Sequence, residues 1–252
     1  MTHPPSDHFH GKSVLEHLKE ARTRGMIASA EVHGTEMSGH MAAFADSLRD
    51  ASIALLFLWV ILSSLIAPSH LLPILALFSI GWVIWKTSRS AMIGWSRLER
   101  LHRLIEEERW EIQHHRHQER EELTELYQAK GFEGKLLEEA IDVLMADDNR
   151  LLQIMLEEEM GLTLEAYEHP LKQAFGAFAG SMSACLFCLA AFLLYPWSGL
   201  PIVAAVLTFA GSICTSKLER NHIMPAVVWN AAILTAACLC LYFVKQILLH
   251  TI

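Results

Sequence analysis

Five long stretches without a charged side chain constrain this chain more than any other feature of its sequence. They span residues 51–67, 71–85, 173–197, 199–216 and 226–242. A bilayer core is about 30 Å thick, and a helix needs about 20 apolar residues to cross it. The first two stretches are short and need flanking residues to reach that length. Five such stretches, separated by polar turns, predict an integral membrane protein that contacts the lipid bilayer through five transmembrane helices.

The charged residues are concentrated between the second and third stretches. Segment 86–172 holds 20 of the 28 acidic residues and 12 of the 20 basic residues, so the net charge of −8 mainly describes this segment. Gly131 and Gly134 end a long first helix, and two short helices follow, the last capped by Asp147 or Asp148. The predicted fold class is therefore an all-α polytopic membrane protein with a three-helix domain inserted between the second and third transmembrane helices.

The distribution of basic residues predicts the orientation of the chain. The turns at 68–70 and 196–201 contain no Lys or Arg, whereas segment 86–172 has twelve. Positively charged loops remain in the cytosol, so we expect the N-terminus and the central domain to be cytosolic and the C-terminus to lie on the opposite side. The predicted domains are a partly helical N-terminal segment 1–49, the first two membrane helices 50–88, the central domain 89–170 and the last three membrane helices 171–252.

Other patterns exclude some classes of protein. No basic stripe interleaved with aromatic residues is present, which argues against nucleic acid as a partner. The pair Cys185 and Cys188 has apolar neighbours only and is interpreted as buried small side chains. The N-terminal histidines His3, His8 and His10 could bind metal weakly, but a disordered polar tail is the better interpretation.

One stretch of the central domain raises the question of metal binding. Within "ERWEIQHHRHQEREE" (108–122), five side chains fall on one helix face within an arc of about 80°. They are Glu108, Glu111, His115, Glu119 and Glu122. Like charges in this arrangement destabilise a helix unless a cation compensates them. The stripe is either a solvated acidic face or a set of metal ligands. A straight helix separates Glu108 from Glu122 by about 21 Å, so a shared ion requires a break, for which "QHHRHQ" is a candidate.

Two further patterns bear on this question. Met155 and Glu159 lie four residues apart, and a thioether beside a carboxylate suits a borderline transition metal such as Fe²⁺. The pairs Glu99/His102 and Glu111/His114 have the Glu-x-x-His spacing found in half of a di-iron carboxylate site. That spacing leaves open an enzyme of the ferroxidase type.

The stretch "EREELTELYQAKGFEGKLLEEAIDVLMADDNRLLQIMLEEEMGL", followed by "PLKQAFGAFAGSM", resembles the vacuolar iron transporter family. The resemblance implies five transmembrane helices, a cytosolic metal-binding domain and a homodimer. The family has two Glu-x-x-Glu pairs, a pair of methionines and a final glutamate. These positions correspond here to Glu108, Glu111, Glu119, Glu122, Met155, Leu156 and Glu159. Leu156 departs from the pattern, so the metal ligands implied are the other six.

The membrane part departs further from that family. The resemblance implies an Asp in an Asn-Asp-Gly motif and a Glu in a Gly-Glu-Tyr motif, but no carboxylate occurs between Asp50 and Glu99. Intramembrane acids are usually functional, and only Asp46 and Asp50 lie nearby. The expected function is non-enzymatic: transport of Fe²⁺ or Mn²⁺ out of the cytosol by proton antiport, with Zn²⁺ and Co²⁺ as other candidate ions. The alternative is a metal sensor or membrane-anchored scaffold that does not transport.

Overall fold

The computed structural model describes residues 13–29, 39–162, 169–219 and 221–251, and these residues form helices and short connections without a strand. The described helices are α1 (Val14–Ser29), α2 (Gly39–Leu62), α3 (Pro68–His114), α4 (Arg116–Ala129), α5 (Gly134–Met145), α6 (Asp148–Ile154), α7 (Pro170–Leu194), α8 (Gly199–Leu218) and α9 (Ile223–Thr251). A π-helical turn, Met155–Glu159, follows α6 directly. The all-α prediction is confirmed for this part of the chain. His3, His8 and His10 lie outside the described residues.

The chain divides into two compact units. The first unit comprises residues 1–30 and 96–167, and the second comprises residues 31–95 and 168–252. We call them the carboxylate unit and the apolar unit, after the side chains that dominate each. α2 crosses the predicted boundary at residue 50 without interruption, because "MAAFADSLRD" continues directly into the first apolar stretch.

The apolar unit is built around α2, which packs against α7 and α8. Small residues allow this close packing. A Cβ atom added to Gly176 or Gly180 of α7 would lie 2.1 Å from the carbonyl oxygen of His40 or Phe44 of α2, respectively. Cys185 and Cys188 are buried in the same core with free thiols, as their apolar surroundings predict.

Four of the described helices are long and apolar enough to cross a membrane, judged by length and composition. They are α3, α7, α8 and α9. The helix formed by the first apolar stretch is not among them, because α2 ends at Leu62 and its N-terminal half contains Asp46, Arg49 and Asp50. Its uncharged part, residues 51–62, is about 18 Å long. A fifth transmembrane helix therefore remains a prediction.

In the carboxylate unit, the short helices have the boundaries that their sequence signals indicate. Asp147 is the N-cap of α6, and its carboxylate accepts a hydrogen bond of 2.8 Å from the backbone N–H of Arg150. Gly161 has a φ of +67° and ends the helical segment. α5 buries one of its faces. Leu136 is exposed and Met145 is buried, because the buried face centres on Ile141.

Two arginines beside the acidic stripe connect helices. Arg116 forms an ion pair of 2.5 Å with Asp148 of α6, and Arg120 forms one of 2.6 Å with Asp142 of α5. The pairs connect α4 to the two helices that follow it, and because they are partly exposed each contributes little stability.

Candidate metal centre

A break between α3 and α4 lets one sequence stripe fold onto a single site. α3 ends at His114 and α4 begins at Arg116, while His115 has the non-helical angles φ −125° and ψ 32°. The rings of Trp110 and His114 stack at 4.3 Å beside this break. The predicted break at "QHHRHQ" is confirmed. The stripe no longer has the 21 Å extent of a straight helix, so its first and last glutamates can approach one another.

The segment after α6 provides further predicted ligands from a π-helical turn. The backbone N–H of Met160 donates to the carbonyl of Met155 at 3.3 Å, which is the i to i+5 pattern. Such turns are rare and occur frequently at functional sites. Met155 and Glu159 are both buried here, with 0% and 3% of their surface exposed. The α-helical spacing assumed from the sequence is therefore replaced by a wider turn.

Burial distinguishes the predicted glutamates from an ordinary acidic surface. Glu108, Glu119 and Glu122 have at most 1% of their surface exposed, and Glu111 is half-buried. A charged carboxylate is rarely buried without a counter-charge or a metal ion. Oε1 of Glu108 has no hydrogen-bonding partner within the described part of the chain. A solvated acidic face does not account for this burial.

These carboxylates lie close enough to influence one another's ionisation. Burial, together with the nearby carboxylates of Glu108, Glu122 and Glu111, raises the pKa of Glu119 to about 11. Burial also raises the pKa of Glu159 well above its ordinary range, with Glu122 and Glu119 adding to the effect. All five predicted glutamate ligands therefore belong to one electrostatic cluster. We call Glu108, Glu111, Glu119, Glu122 and Glu159 the glutamate cluster.

The remaining predicted side chains are placed differently. Met155 begins the π-helical turn that contains Glu159, but it is part of the hydrophobic core of the carboxylate unit, with Leu156 beside it in that core. Its role as a ligand stays a prediction. His114 is exposed, and its Nδ1 lies 2.8 Å from the carbonyl oxygen of Trp110, one turn earlier in the same helix. The Glu111/His114 pair thus gives no structural support to a di-iron site.

Sequence reasoning missed one polar side chain at the cluster, His17 of α1. Its Nε2 lies 3.7 Å from Oε1 of Glu122 and 3.9 Å from Oε1 of Glu159. The ligand atoms of these three residues all lie within 4.8 Å of one another, a spacing that could hold a metal ion. The sequence carries no local signal for this residue, since His17 lies 91 positions before Glu108.

We expect the stability of the metal-free protein to fall as the pH rises. Glu119 retains its proton in the folded state up to about pH 11, whereas it ionises near 4.5 when unfolded. Between these values the folded state binds more protons than the unfolded state, so the free energy of unfolding decreases with pH. The stabilisation is complete below pH 4.5 and is lost progressively toward pH 11. Hydrogen exchange of α4 peptides in detergent with a chelator, at pH 6 and pH 8 after correction for intrinsic rates, measures this loss of protection.

Other titratable groups near Glu119 also contribute to the pH dependence of stability, so a control must remove Glu119 alone. They are Glu108 and Glu111 of α3, Glu122 of α4 and Glu159 of the π-helical turn, and His17 of α1 faces the last two of these. Glu119→Gln removes one titrating group while leaving the others, so it should reduce the pH dependence. Protection of α4 that does not change between pH 6 and pH 8 would contradict the prediction.

Comparison with known proteins agrees with this architecture. The sequence model of the VIT family matches residues 94–245, more than half of the 252-residue chain. The matched region includes both Glu-x-x-Glu pairs of the glutamate cluster, the π-helical turn and the apolar helices α7 and α8. No curated protein matches the chain.

The match and the long apolar helices lead to the same conclusion. Four helices that can span a membrane make the chain an integral, multi-pass membrane protein. The family is one of membrane metal transporters rather than of enzymes, which agrees with the predicted resemblance. The chain belongs to the vacuolar iron transporter (VIT) family.

Proposed function

We propose that the chain binds Fe²⁺, or alternatively Mn²⁺, at the glutamate cluster and moves it out of the cytosol by proton antiport. The main support is that four almost fully buried glutamates converge on one site. Because these side chains are shielded from water, solvent cannot compensate their negative charges. The proposed ligands are Glu108, Glu111, Glu119, Glu122, Met155 and Glu159. A divalent ion would replace protons on these carboxyl groups, which links metal binding to proton release.

The donor set favours a transition metal over Ca²⁺ or Mg²⁺. Carboxylates alone suit hard cations, which prefer six or more oxygen ligands. The thioether of Met155 and the imidazole of His17 are softer donors, which suit Fe²⁺, Co²⁺ or Zn²⁺, whereas Mn²⁺ would be held mainly by the carboxylates. Both residues lie in the same unit as the glutamate cluster.

The proposed topology follows the charge distribution. The N-terminus and residues 89–170 would lie in the cytosol, and the C-terminus would lie on the opposite side after five crossings. In this arrangement the glutamate cluster captures metal on the cytosolic side. Family membership also supports a homodimer, in which two such domains would be present.

A second candidate function is a metal sensor or scaffold without transport. The acids nearest the first membrane stretch are both in ion pairs: Asp46 with Arg49 at 2.6 Å, and Asp50 with Lys86 at 2.7 Å. A carboxylate that is already paired with a basic side chain is poorly placed to bind a transported metal ion. The family match also begins at residue 94, after the two stretches that lack the expected acids.

Transport into sealed vesicles distinguishes these two functions. We expect proteoliposomes containing the protein to take up Mn²⁺ when a pH gradient is imposed and to quench a trapped metal-sensitive dye. Antiport further requires that uptake decline when an ionophore collapses the gradient. The Glu119→Gln/Glu122→Gln variant is the control for leakage. Intact Mn²⁺ binding without uptake would exclude transport and favour the sensor.

A further inference from the structure

α1 reaches the glutamate cluster through an unusually close helix contact. A Cβ atom added to Gly25 would lie 2.1 Å from the carbonyl oxygen of Met160, which directly follows the π-helical turn. Leu18 and Ala21 are buried on the same side of α1. Any residue other than glycine at position 25 would push α1 away from this turn. The contact therefore fixes α1 where His17 faces Glu122 and Glu159.

The distances at His17 suit a shared ion better than a direct hydrogen bond. Its Nε2 lies 3.7 Å and 3.9 Å from the two carboxylate oxygens. Both distances exceed the range of a good hydrogen bond. They are shorter than about 4.2 Å, the sum of two metal–ligand bonds to nitrogen and oxygen. An ion between these atoms can bind all three with little rearrangement.

We propose that His17 is a nitrogen ligand of the bound metal, so that occupation of the centre fastens α1 onto α4 and the π-helical turn. This inference rests on the proposed metal binding by the glutamate cluster. The orphaned Oε1 of Glu108 independently indicates that the cluster is built for a ligand. A borderline divalent transition metal is the ligand class that accepts imidazole together with carboxylates. Bound metal would thus add to the packing contacts that hold α1 in this position.

The test uses the full-length protein in detergent with Mn²⁺ as the probe. We expect His17→Ala to weaken Mn²⁺ binding about tenfold, equivalent to roughly 1.4 kcal/mol. Pulsed EPR of bound Mn²⁺ should show a ¹⁴N coupling in the wild type that His17→Ala removes. Mn²⁺ should also slow hydrogen exchange in peptides covering α1 of the wild type, but not in the variant, while α4 is protected in both.

The controls separate this inference from the proposed function. His117→Ala removes an imidazole whose side chain is 82% exposed, and it should leave affinity, ¹⁴N coupling and α1 protection unchanged. If His17→Ala retains wild-type affinity and α1 protection while Glu119→Gln/Glu122→Gln loses Mn²⁺, only the role of His17 is overturned. If the double variant also binds normally, the metal centre itself is wrong. Hydrogen exchange without metal checks that α1 remains folded in the His17 variants, and His17→Gln repeats the test with a larger side chain.

Discussion

Replacing Glu119 and Glu122 with glutamine should weaken Mn²⁺ binding by about 100-fold or more and should stabilise the metal-free protein. Each substitution removes an anionic ligand, and two losses of about tenfold combine to at least that factor. The amide has nearly the same volume as the carboxyl group, so packing around these fully buried side chains is preserved. Calorimetry with Mn²⁺ measures the first effect, and thermal unfolding with a chelator at pH 8 measures the second.

The opposite direction of the two effects follows from burial. Glu119 must keep a proton that the unfolded chain has released, because its pKa rises to about 11 on folding. Glutamine needs no proton, so the energetic cost of neutralising this side chain at pH 8 disappears. Each kcal/mol gained should raise the melting temperature by roughly 2–4 °C in a protein of this size. Binding and stability therefore oppose one another at this site.

A matched pair on α5 provides the control for the change in charge. Glu138 and Glu139 are adjacent, exposed glutamates, and Glu139 pairs with Lys135 on the protein surface. Their conversion to glutamine should leave both Mn²⁺ affinity and melting temperature nearly unchanged. Equal losses of affinity in the two double variants would mean that net charge, not the glutamate cluster, attracts the ion. Unchanged Mn²⁺ affinity in Glu119→Gln/Glu122→Gln would mean that the stripe is an ordinary acidic surface.

The position of the glutamate cluster on the chain could be predicted because its signal is local. Glu108, Glu111, Glu119 and Glu122 repeat with helical spacing, and a stripe of like charges conflicts with helix stability unless the fold compensates it. The break at His115 was also predictable, since only a break allows the two ends of the stripe to approach. Both inferences depend on residues within fifteen positions of one another.

The contribution of His17 could not be predicted in the same way. It precedes Glu108 by 91 residues, and its approach depends on how Gly25 of α1 packs against the carbonyl of Met160. Tertiary packing of this kind has no periodic signal in one sequence. The π-helical turn at Met155–Glu159 was missed for a related reason. The residues there are ordinary helix formers, and the wider turn reflects their surroundings.

The apolar unit shows which features of the fold cannot be predicted from composition alone. Uncharged length identified the stretches in α3, α7, α8 and α9 as membrane helices. The first stretch is ambiguous because α2 joins twelve uncharged residues to a charged half. α2 is nonetheless the central helix of its unit and packs against both α7 and α8. Its position depends on small residues in α7 rather than on its own hydrophobicity.

We therefore expect Gly180→Val to disrupt the apolar unit and to lower stability by about 3 kcal/mol or more. In the wild type, the missing side chain lets the backbones of α7 and α2 approach closely, as small residues do in membrane helix pairs. A Cβ atom at this position would lie 2.1 Å from the carbonyl oxygen of Phe44 and 2.9 Å from its carbonyl carbon. These are backbone atoms, so no side chain can rotate to make room and the helices must separate. Thermal unfolding in detergent, followed by tryptophan fluorescence, measures the loss.

Gly81 of α3 provides the matched control, because it is also a helical glycine in an apolar stretch. A Cβ atom there meets nothing within 4 Å. Gly81→Val should have little effect, and Gly81→Ala should be neutral or slightly stabilising because alanine favours helix more than glycine does. Equal destabilisation by Gly180→Val and Gly81→Val would contradict close packing of α2 on α7.

The same pair of variants tests whether the two glycines of the "GAFAG" stretch pack against α2 of their own chain or against a second copy. If Gly176 and Gly180 hold α2 of their own chain, Gly180→Val will lower the melting temperature without requiring a change in oligomeric state. If they instead joined two copies, size-exclusion chromatography would show dissociation with α2 still protected from hydrogen exchange.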